Sequence, residues 1–387
     1  MSGGVDSSVV AALLKKQGYD VVGVFLRFWK SGVYAEAEGK AEKAAKILNI
    51  PLHIISAEKE FKKEIVDYFL RGCATGNMFN PCVKCNPEVK FKFLLDKMAE
   101  LKCDLAATGH YARRRREIQN PKLQIPNKFQ ISNKKIPLKN PPNPPLQRGS
   151  KEKKGEDIYH LFQARDENKD QSYFLYGLSQ KQLAKIIFPL GDYKKSEVLE
   201  MAKDFGFSKF KEKDESQGAC FIAEKYPGKF LKENLKMKTG KIIDARGNVL
   251  GEHQGLPLYI IGQRRMINIG GTGPYYVIGR DFSKNLLVVT NNGKDPRLYK
   301  KSIIVKNVNW IAGAPKLPLK AKVKIRYQHP AVRGIITYDS QRATHNAYNV
   351  KFAKPQRAVA AGQSAVFYSD KGEVLGGGII KHVACSM

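Results

Sequence analysis

The sequence predicts an α/β fold in which a doubly wound parallel sheet is followed by smaller β modules. Strand and helix patterns alternate from residue 1 to about residue 110, as expected where crossover helices cover both faces of a parallel sheet. From Gly240 onward, short apolar segments follow one another at close spacing, which is typical of compact β domains. We therefore expect a sheet-and-helix domain first, a small β adaptor domain next and a β-barrel at the end.

Each element of the first domain follows from a local pattern. An apolar stripe over residues 9–14 predicts a helix that Asp6 or Ser7 can cap and that ends at Gly18. The near-continuous apolar run over residues 21–29 predicts a strand buried on both faces. The other expected helices cover residues 35–48, 61–71, 88–101, 179–188 and 196–207, and the other expected strands cover residues 52–56 and 104–108.

The second half of the chain predicts hairpins and then a closed barrel. Strand patterns flank turns within residues 241–251 and 275–290. Further short strands are expected over residues 322–327, 335–338, 348–352, 364–368 and 374–382. Small barrels of this kind often carry RNA contacts.

Residues 113–155 interrupt the α/β pattern. The segment is rich in proline and in basic residues, and residues 123–128 are nearly repeated in residues 129–134. This composition predicts a disordered insertion at the tip of a hairpin formed by residues 110–113 and 158–164. The insertion is either a basic arm that touches RNA or a neutral addition to a tolerant loop, and we favour the second interpretation.

The composition indicates a polyanionic partner and a cytoplasmic protein. The 387 residues include 67 Lys and Arg against 36 Asp and Glu, a net charge of +31, which favours nucleic acid as the partner. No apolar run has the length of a membrane span, and no signal peptide pattern is present, so we expect no membrane partner. Six cysteines in a large cytosolic protein are more often buried, catalytic or metal-binding than disulfide-bonded.

The opening segment Ser2–Ser8, with the sequence SGGVDSS, predicts a phosphate site. The first N–H groups of the following helix lack backbone partners, and the helix dipole is positive there. The segment is not a Walker A loop, because no Gly-Lys-Ser/Thr follows the glycines. It resembles the pyrophosphatase-type loop (PP-loop) of enzymes that cleave ATP to AMP and pyrophosphate. In that group a strand precedes the loop, so we expect this strand upstream of Met1 or lost.

Three cysteines are candidates for sulfur or metal chemistry. Cys82 and Cys85 form a C-x-x-C motif between two expected helices, and Cys220 lies 135 residues beyond Cys85, so only the fold can bring them together. No second C-x-x-C or His pair completes a structural zinc site. A thiol near a lysine or a helix N-terminus has a lowered pKa and is a better nucleophile.

Together these motifs resemble the bacterial tRNA-specific 2-thiouridylases over nearly the whole chain. The matching segments include residues 2–8, 80–81, 85–86, 90–92, 107–111, 168–176, 188–189, 220–222, 251–255, 262–264, 296–297, 323–327 and 362–368. The resemblance implies a PP-loop adenylating catalytic domain over residues 1–226, a β-rich adaptor domain over 227–298 and a β-barrel over 299–387. It also implies 2-thiolation of the wobble uridine of tRNAs such as those for Lys, Glu and Gln.

The resemblance implies a role for each matching residue. Cys220 would carry a persulfide supplied by a donor such as a cysteine desulfurase or a sulfur relay protein, and Cys85 would be the nucleophile that releases the sulfur. ATP, with Mg²⁺, would be held by Met1, Ser2, Gly3, Gly4, Val5, Asp6, Ser7, Leu26 and Gly109. tRNA would be contacted by Asn80, Pro81 and Cys82 at the target base and by His110, Lys169, Asp170, Gln171, Arg326, Tyr327 and Gln363 elsewhere.

Two alternative functions and one alternative chemistry stay open at this point. Another PP-loop adenylating synthetase would share the loop but would need neither Cys85 nor Cys220. A tRNA-binding homologue without its first strand would have lost catalysis. In place of a persulfide, the thiolates of Cys82, Cys85 and Cys220 could hold a [4Fe–4S] cluster. We favour the persulfide.

Overall fold

The computed structural model describes residues 1–29, 32–118, 157–207, 219–222, 226–267, 269–270, 273–339 and 346–381, except the side chains of residues 32 and 33. The chain divides into two compact units. The first comprises Met1–Ser56, Leu94–Ser172 and Ser179–Glu212, and the second comprises Ala57–Phe93, Tyr173–Leu178 and Lys213–Met387.

Helices and strands alternate in the first half of the chain, and strands dominate the second half. In chain order the elements are α1 (Val5–Lys16), β1 (Gly23–Arg27), α2 (Gly32–Leu48), β2 (Leu52–Ser56), α3 (Glu58–Phe61), α4 (Asp67–Ala74), α5 (Pro81–Cys85), α6 (Phe91–Glu100), β3 (Ala106–Ala107), β4 (Ala112–Glu117), β5 (Ile158–Gln163), α7 (Gln180–Lys185), β6 (Ile186–Ile187), α8 (Lys195–Asp204), α9 (Gly228–Asn234), β7 (Gly240–Ile243), β8 (Val249–His253), β9 (Tyr276–Asp281), β10 (Leu286–Thr290), β11 (Tyr299–Trp310), β12 (Leu319–Lys324), β13 (Val332–Tyr338), β14 (Ala347–Arg357), β15 (Ser364–Tyr368) and β16 (Glu373–Ile380). Single π-helical turns, Lys62–Val66 and Asn86–Lys90, join α3 to α4 and α5 to α6.

The first unit has the expected parallel pairing and crossover helices. β1 pairs with β2 and β3 pairs with β6, both in parallel, which confirms the α/β class. Val9 and Leu13 place α1 in a buried cluster with Ala44 of α2 and Val198 of α8. Burial of this stripe stabilises α1 more than its intrinsic propensity does.

Two predictions about the ends of helices in the first unit are wrong. The N-cap of α1 is Gly4, not Asp6 or Ser7, and it makes no side-chain cap bond. Ile186 and Ile187 were expected to extend α7, but they pair with β3, because branched side chains suit a pleated strand better than a helix end. The predicted end of α1 is correct, since Gly18 has a φ of +85°, the left-handed conformation that terminates helices.

The predicted hairpin around the insertion is confirmed. β4 and β5 pair antiparallel from Ala112 opposite Gln163 to Glu117 opposite Ile158. Because β4 continues to Glu117, the predicted insertion begins too early at Arg113. The rest of the predicted disordered segment lies largely within residues 119–156, outside the described residues.

The second unit contains a small sheet and a closed barrel, as expected from the sequence. The small sheet has the order β8-β7-β10-β9, with both predicted hairpins antiparallel. The barrel runs β11-β14-β13-β12-β15-β16, and β16 pairs with β11 to close it. Its interior is filled by apolar side chains, among them Val323, Ile336, Val350 and Phe367. Closure leaves no unpaired strand edge.

Within the described residues, no helix combines the length and the apolar character needed to cross a membrane.

Candidate active site

The Ser2–Ser8 loop is a compact turn held by its own hydroxyl groups. The Ser2 N–H donates to Ser7 Oγ at 3.0 Å, and the hydroxyls of Ser7 and Ser8 each donate to the Gly4 carbonyl at 3.1 Å. Gly3 has a φ of +72°, and a Cβ at this position would lie 2.1 Å from the Ala37 carbonyl oxygen. Only glycine fits this conformation and this close backbone approach. The loop therefore turns sharply into the N-terminus of α1.

Two donors converge on the carboxylate of Asp6. Tyr111 donates its hydroxyl to Asp6 Oδ1 at 3.0 Å, and Lys195 donates its ammonium to the same oxygen at 2.8 Å. The Lys195 side chain is 12% exposed and that of Asp6 is 28% exposed, so the ion pair is partly shielded from water. Gly109 packs against this turn, since a Cβ there would lie 3.1 Å from Asp6 Cβ.

The structure gathers most of the predicted ATP residues at one place in the first unit. Gly109 lies against the loop, and the amino group of Met1 donates to the Val24 carbonyl of β1. Leu26 lies further along β1, opposite Ile55 of β2. The sequence did not single out Tyr111 or Lys195, because nothing in their local sequence distinguishes them from other residues at the ends of elements.

The C-x-x-C motif lies between α4 and α6, as predicted, on a short helix of its own, α5. Asn80 caps this helix by accepting the Cys82 N–H at 3.0 Å, and Pro81 occupies the first helical position. Both residue types are favoured there, since the cap satisfies an unpaired N–H and proline has none to lose. Cys82 lies in the first turn, while Cys85 is the last residue and is only 7% exposed.

Both thiols of the motif have raised pKa values. Burial, with a smaller contribution from the nearby Cys220, raises the pKa of Cys82 to about 11. Burial raises the pKa of Cys85 to about 12, although the Lys90 ammonium acts in the opposite direction. Desolvation disfavours the thiolate, and here it outweighs the nearby lysine. Both thiols therefore carry their protons at neutral pH.

Cys220 belongs to the same unit and lies within electrostatic reach of the other two cysteines. It contributes to the raised pKa of both Cys82 and Cys85, and its own side chain is exposed. The next residue, Phe221, packs edge-on against Phe61 and Phe69 at centroid distances of 5.8 and 5.7 Å. The fold thus brings together the three cysteines that the sequence selected.

The described residues do not assign a metal site to the three cysteines. Among the residues that the structure describes, no group of three or more His, Cys, Asp or Glu side chains is placed to hold a metal ion. Cluster ligands are thiolates, so a metal bound by Cys82 or Cys85 would displace the thiol proton.

Three of the predicted tRNA contacts in the first unit have protein partners. His110 is 9% exposed, and its Nδ1 lies 2.8 Å from Thr108 Oγ1. Asp170 is 2% exposed and accepts both the N–H and the hydroxyl of Ser172. Gln171 Oε1 accepts the Tyr111 N–H at 3.1 Å. Lys169, the fourth predicted contact in this segment, is partly exposed.

The predicted tRNA contacts on the barrel also touch protein groups. Arg326 donates to the Ala358 carbonyl, and the Tyr327 ring lies 4.4 Å from the Phe174 ring between centroids. Gln363 Nε2 donates to the Met78 carbonyl at 2.6 Å. Contact of these side chains with tRNA stays a prediction.

Three family models together cover most of the chain. A model described as tRNA methyl transferase HUP domain matches residues 1–135 and 147–224. The tRNA methyl transferase PRC-barrel domain matches residues 228–291, and the aminomethyltransferase beta-barrel domain matches residues 300–380. Residues 136–146, within the predicted insertion, fall between the two parts of the first match.

Curated relatives match nearly the whole chain. The tRNA-specific 2-thiouridylase MnmA of Lactobacillus gasseri is 39% identical over 392 residues, which cover 98% of this chain and 93% of the relative. The proteins of the same name from Geobacter metallireducens and Alkaliphilus oremlandii are 36% and 37% identical, and the matches cover 95% and 96% of their lengths. The chain belongs to the tRNA-specific 2-thiouridylase family.

Proposed function

We propose that the protein is a tRNA-uridine 2-sulfurtransferase that uses ATP to replace the C2 oxygen of the wobble uridine with sulfur. The observation that carries this proposal is that Cys220, although 135 residues beyond Cys85 in the sequence, lies near enough in the fold to contribute to its raised pKa. A pair of thiols is what sulfur delivery and release require. Membership of the 2-thiouridylase family points to the same reaction.

The first step is adenylation of the uridine at the Ser2–Ser8 loop. The uracil oxygen is a poor leaving group, and its transfer to the α-phosphate of ATP makes it a good one while pyrophosphate departs. The N-terminus of α1 would bind the phosphates through its first N–H groups. Asp6 is the only carboxylate in this loop and, as a hard oxygen ligand, would hold Mg²⁺. The ion would stabilise negative charge on the phosphates.

The second step is sulfur transfer through two cysteines. The terminal sulfur of a Cys220 persulfide attacks C2 of the uridine, AMP leaves, and the persulfide proton is released. The tRNA is then joined to Cys220 through a disulfide. Cys85 attacks the Cys220 sulfur, which forms a Cys85–Cys220 disulfide and releases 2-thiouridine with the Cys85 proton on the base. An external dithiol must reduce the disulfide before the next turnover.

Cys85 must lose its proton before it attacks, because the thiolate is the nucleophile in disulfide exchange. Since burial raises its pKa, Cys85 stays mostly protonated at neutral pH while the Cys220 persulfide reacts with the activated base. Cys82, in the first turn of α5, would line the base pocket with Asn80 and Pro81 and would not react. We prefer this scheme to one based on a cluster.

The remaining sequence-based assignments belong to the same proposal. The adenylating domain covers residues 1–226, the adaptor 227–298 and the barrel 299–387. The substrates are tRNAs such as those for Lys, Glu and Gln, which favours a cytoplasmic location, and the sulfur comes from a cysteine desulfurase or a sulfur relay protein. tRNA contacts extend to His110, Lys169, Asp170, Gln171, Arg326, Tyr327 and Gln363.

The test is thiolation with purified components. Protein, ATP, Mg²⁺, a persulfide source and unmodified tRNA should give 2-thiouridine, detected by mass spectrometry of the digested tRNA, together with AMP. Cys85→Ser and Cys220→Ser should give none. Release of AMP with ammonia in place of sulfur would identify another adenylating synthetase instead. Binding of tRNA without any AMP would identify a homologue that has lost catalysis.

A further inference from the structure

The loop that leads into the cysteine helix α5 is held by the barrel. The Met78 N–H donates to the Ala361 carbonyl at 2.8 Å, and the Met78 carbonyl accepts from Gln363 Nε2 at 2.6 Å. Both backbone groups of Met78 are thus bound by one short segment that leads into β15. Met78 stands two residues before Asn80, the cap of α5.

Gly362 shows how closely the two segments approach. It has a φ of +85°, and a Cβ there would lie 2.7 Å from the Met78 nitrogen and 3.0 Å from Asn77 Cβ and Phe79 Cδ1. Real Cβ atoms do not approach backbone this closely, so the contact requires glycine. Phe79 is fixed from its other side by stacking on Tyr68, with centroids 4.4 Å apart.

The far end of α5 is connected to the same barrel segment. Asn86 directly follows Cys85, is 3% exposed and donates its amide to the Phe174 carbonyl at 2.9 Å. The residues around Phe174 bind Ser364: the Tyr173 hydroxyl donates to the Ser364 carbonyl at 2.9 Å, and the Tyr176 hydroxyl lies 3.0 Å from Ser364 Oγ.

We propose that barrel residues 361–364, here called the barrel clamp, position the cysteine helix from both ends, with Gln363 as its main positioning residue. The clamp acts on Cys85 through Met78 and Asn86 and does not touch the reacting atoms. The proposal rests on the proposed function only in assigning chemistry to Cys85. Small displacements of a reacting group lower rates strongly, so a barrel that fixes α5 contributes to turnover as well as to RNA binding.

The test compares Gln363→Leu with Gln356→Leu. Gln356 is a second barrel glutamine, whose amide donates to the Lys354 carbonyl and not to the α5 loop. Each change removes one hydrogen bond, commonly worth a factor of about five in an equilibrium. Iodoacetamide labelling of Cys85 in the full chain, followed by peptide mass spectrometry, should be about fivefold faster in Gln363→Leu and unchanged in Gln356→Leu. This readout needs neither ATP nor tRNA, so it can fail independently of the proposed function.

The kcat of thiolation and the Kd for tRNA distinguish a role of Gln363 in positioning α5 from a role in contacting tRNA. For Gln363→Leu we expect the kcat of thiolation, measured at saturating tRNA, to fall by about fivefold beyond any change in the Kd for tRNA. Unchanged Cys85 labelling with a weakened Kd would overturn the proposal and leave Gln363 as a tRNA contact alone. Should Gln363→Leu fail to fold, Tyr176→Phe removes a bond at the other end of the clamp and should also speed Cys85 labelling. No change in labelling in that variant would count against the clamp.

Discussion

Replacement of Lys195 by methionine should disable the adenylation loop while leaving the fold largely intact. The ammonium lies 2.8 Å from Asp6 Oδ1 and is the only charged donor in the described contacts of that carboxylate. Methionine keeps most of the length of the side chain but removes the charge. Of its described partners, Asp6 would then keep the Tyr111 hydroxyl, and its carboxylate would be poorly oriented to hold Mg²⁺.

The free energy lost in Lys195→Met can be estimated from how far the Asp6–Lys195 ion pair is shielded from water. Exposed ion pairs contribute at most about 1 kcal/mol, and removal of one partner of a fully buried pair costs about 3–5 kcal/mol. With Lys195 12% and Asp6 28% exposed, a loss of about 2 kcal/mol lies between these limits. If the ion pair stabilises the transition state of adenylation, its loss slows adenylation by about thirtyfold. If the ion pair instead stabilises the folded state, its loss lowers the midpoint of thermal unfolding by roughly 4–8 °C.

The assay is tRNA-dependent AMP release, measured beside a thermal melt. Lys194→Met is the matched control, since Lys194 is the adjacent lysine and its side chain is exposed. We expect about thirtyfold slower AMP release for Lys195→Met and nearly normal release for Lys194→Met. If Lys195→Met released AMP within about twofold of the wild-type rate and melted at the same temperature, the assigned role of the Asp6–Lys195 pair would be refuted.

Three further outcomes follow from the same structure. Asp6→Ala should abolish AMP formation while tRNA binding in a gel-shift assay survives; normal AMP release would reject the loop assignment. Deletion of residues 119–154, beyond the last described pair of the hairpin, should preserve thiolation and weaken the salt dependence of tRNA binding, because many cations are removed; complete loss of activity at low salt would contradict this. Alkylation of Cys85, whose pKa is raised to about 12 by burial, should accelerate about tenfold per pH unit from pH 7 to about pH 10 as the thiolate fraction grows; a plateau near neutral pH would mean a much lower pKa.

Patterns of neighbouring residues predicted those helices and hairpins that depend mainly on neighbouring residues. The apolar stripe of α1, its end at Gly18 and the hairpins of the second half follow from side-chain periodicity and turn residues. The cap of α1 was predicted wrongly, because the Gly4 carbonyl already accepts the Ser8 N–H, the first backbone bond of the helix, which makes Gly4 the cap.

The parts of the site that the sequence did not predict depend on contacts between distant residues. Lys195 and Tyr111 reach Asp6 across 189 and 105 positions of the chain, and no spacing rule connects them. Burial of Cys85 is likewise a property of the packed helix. The Lys90 ammonium lowers the pKa of Cys85, but desolvation has the larger effect.

The most direct test of the two-cysteine mechanism is a single turnover with protein that carries an isotopically labelled persulfide on Cys220. The protein is mixed with ATP, Mg²⁺ and unmodified tRNA, without reductant, and both macromolecules are analysed by mass spectrometry. The mechanism predicts labelled 2-thiouridine in an amount equal to the persulfide consumed, together with an equal amount of the Cys85–Cys220 disulfide. Labelled 2-thiouridine formed at the normal rate by Cys85→Ser, or formed without the disulfide, would contradict it.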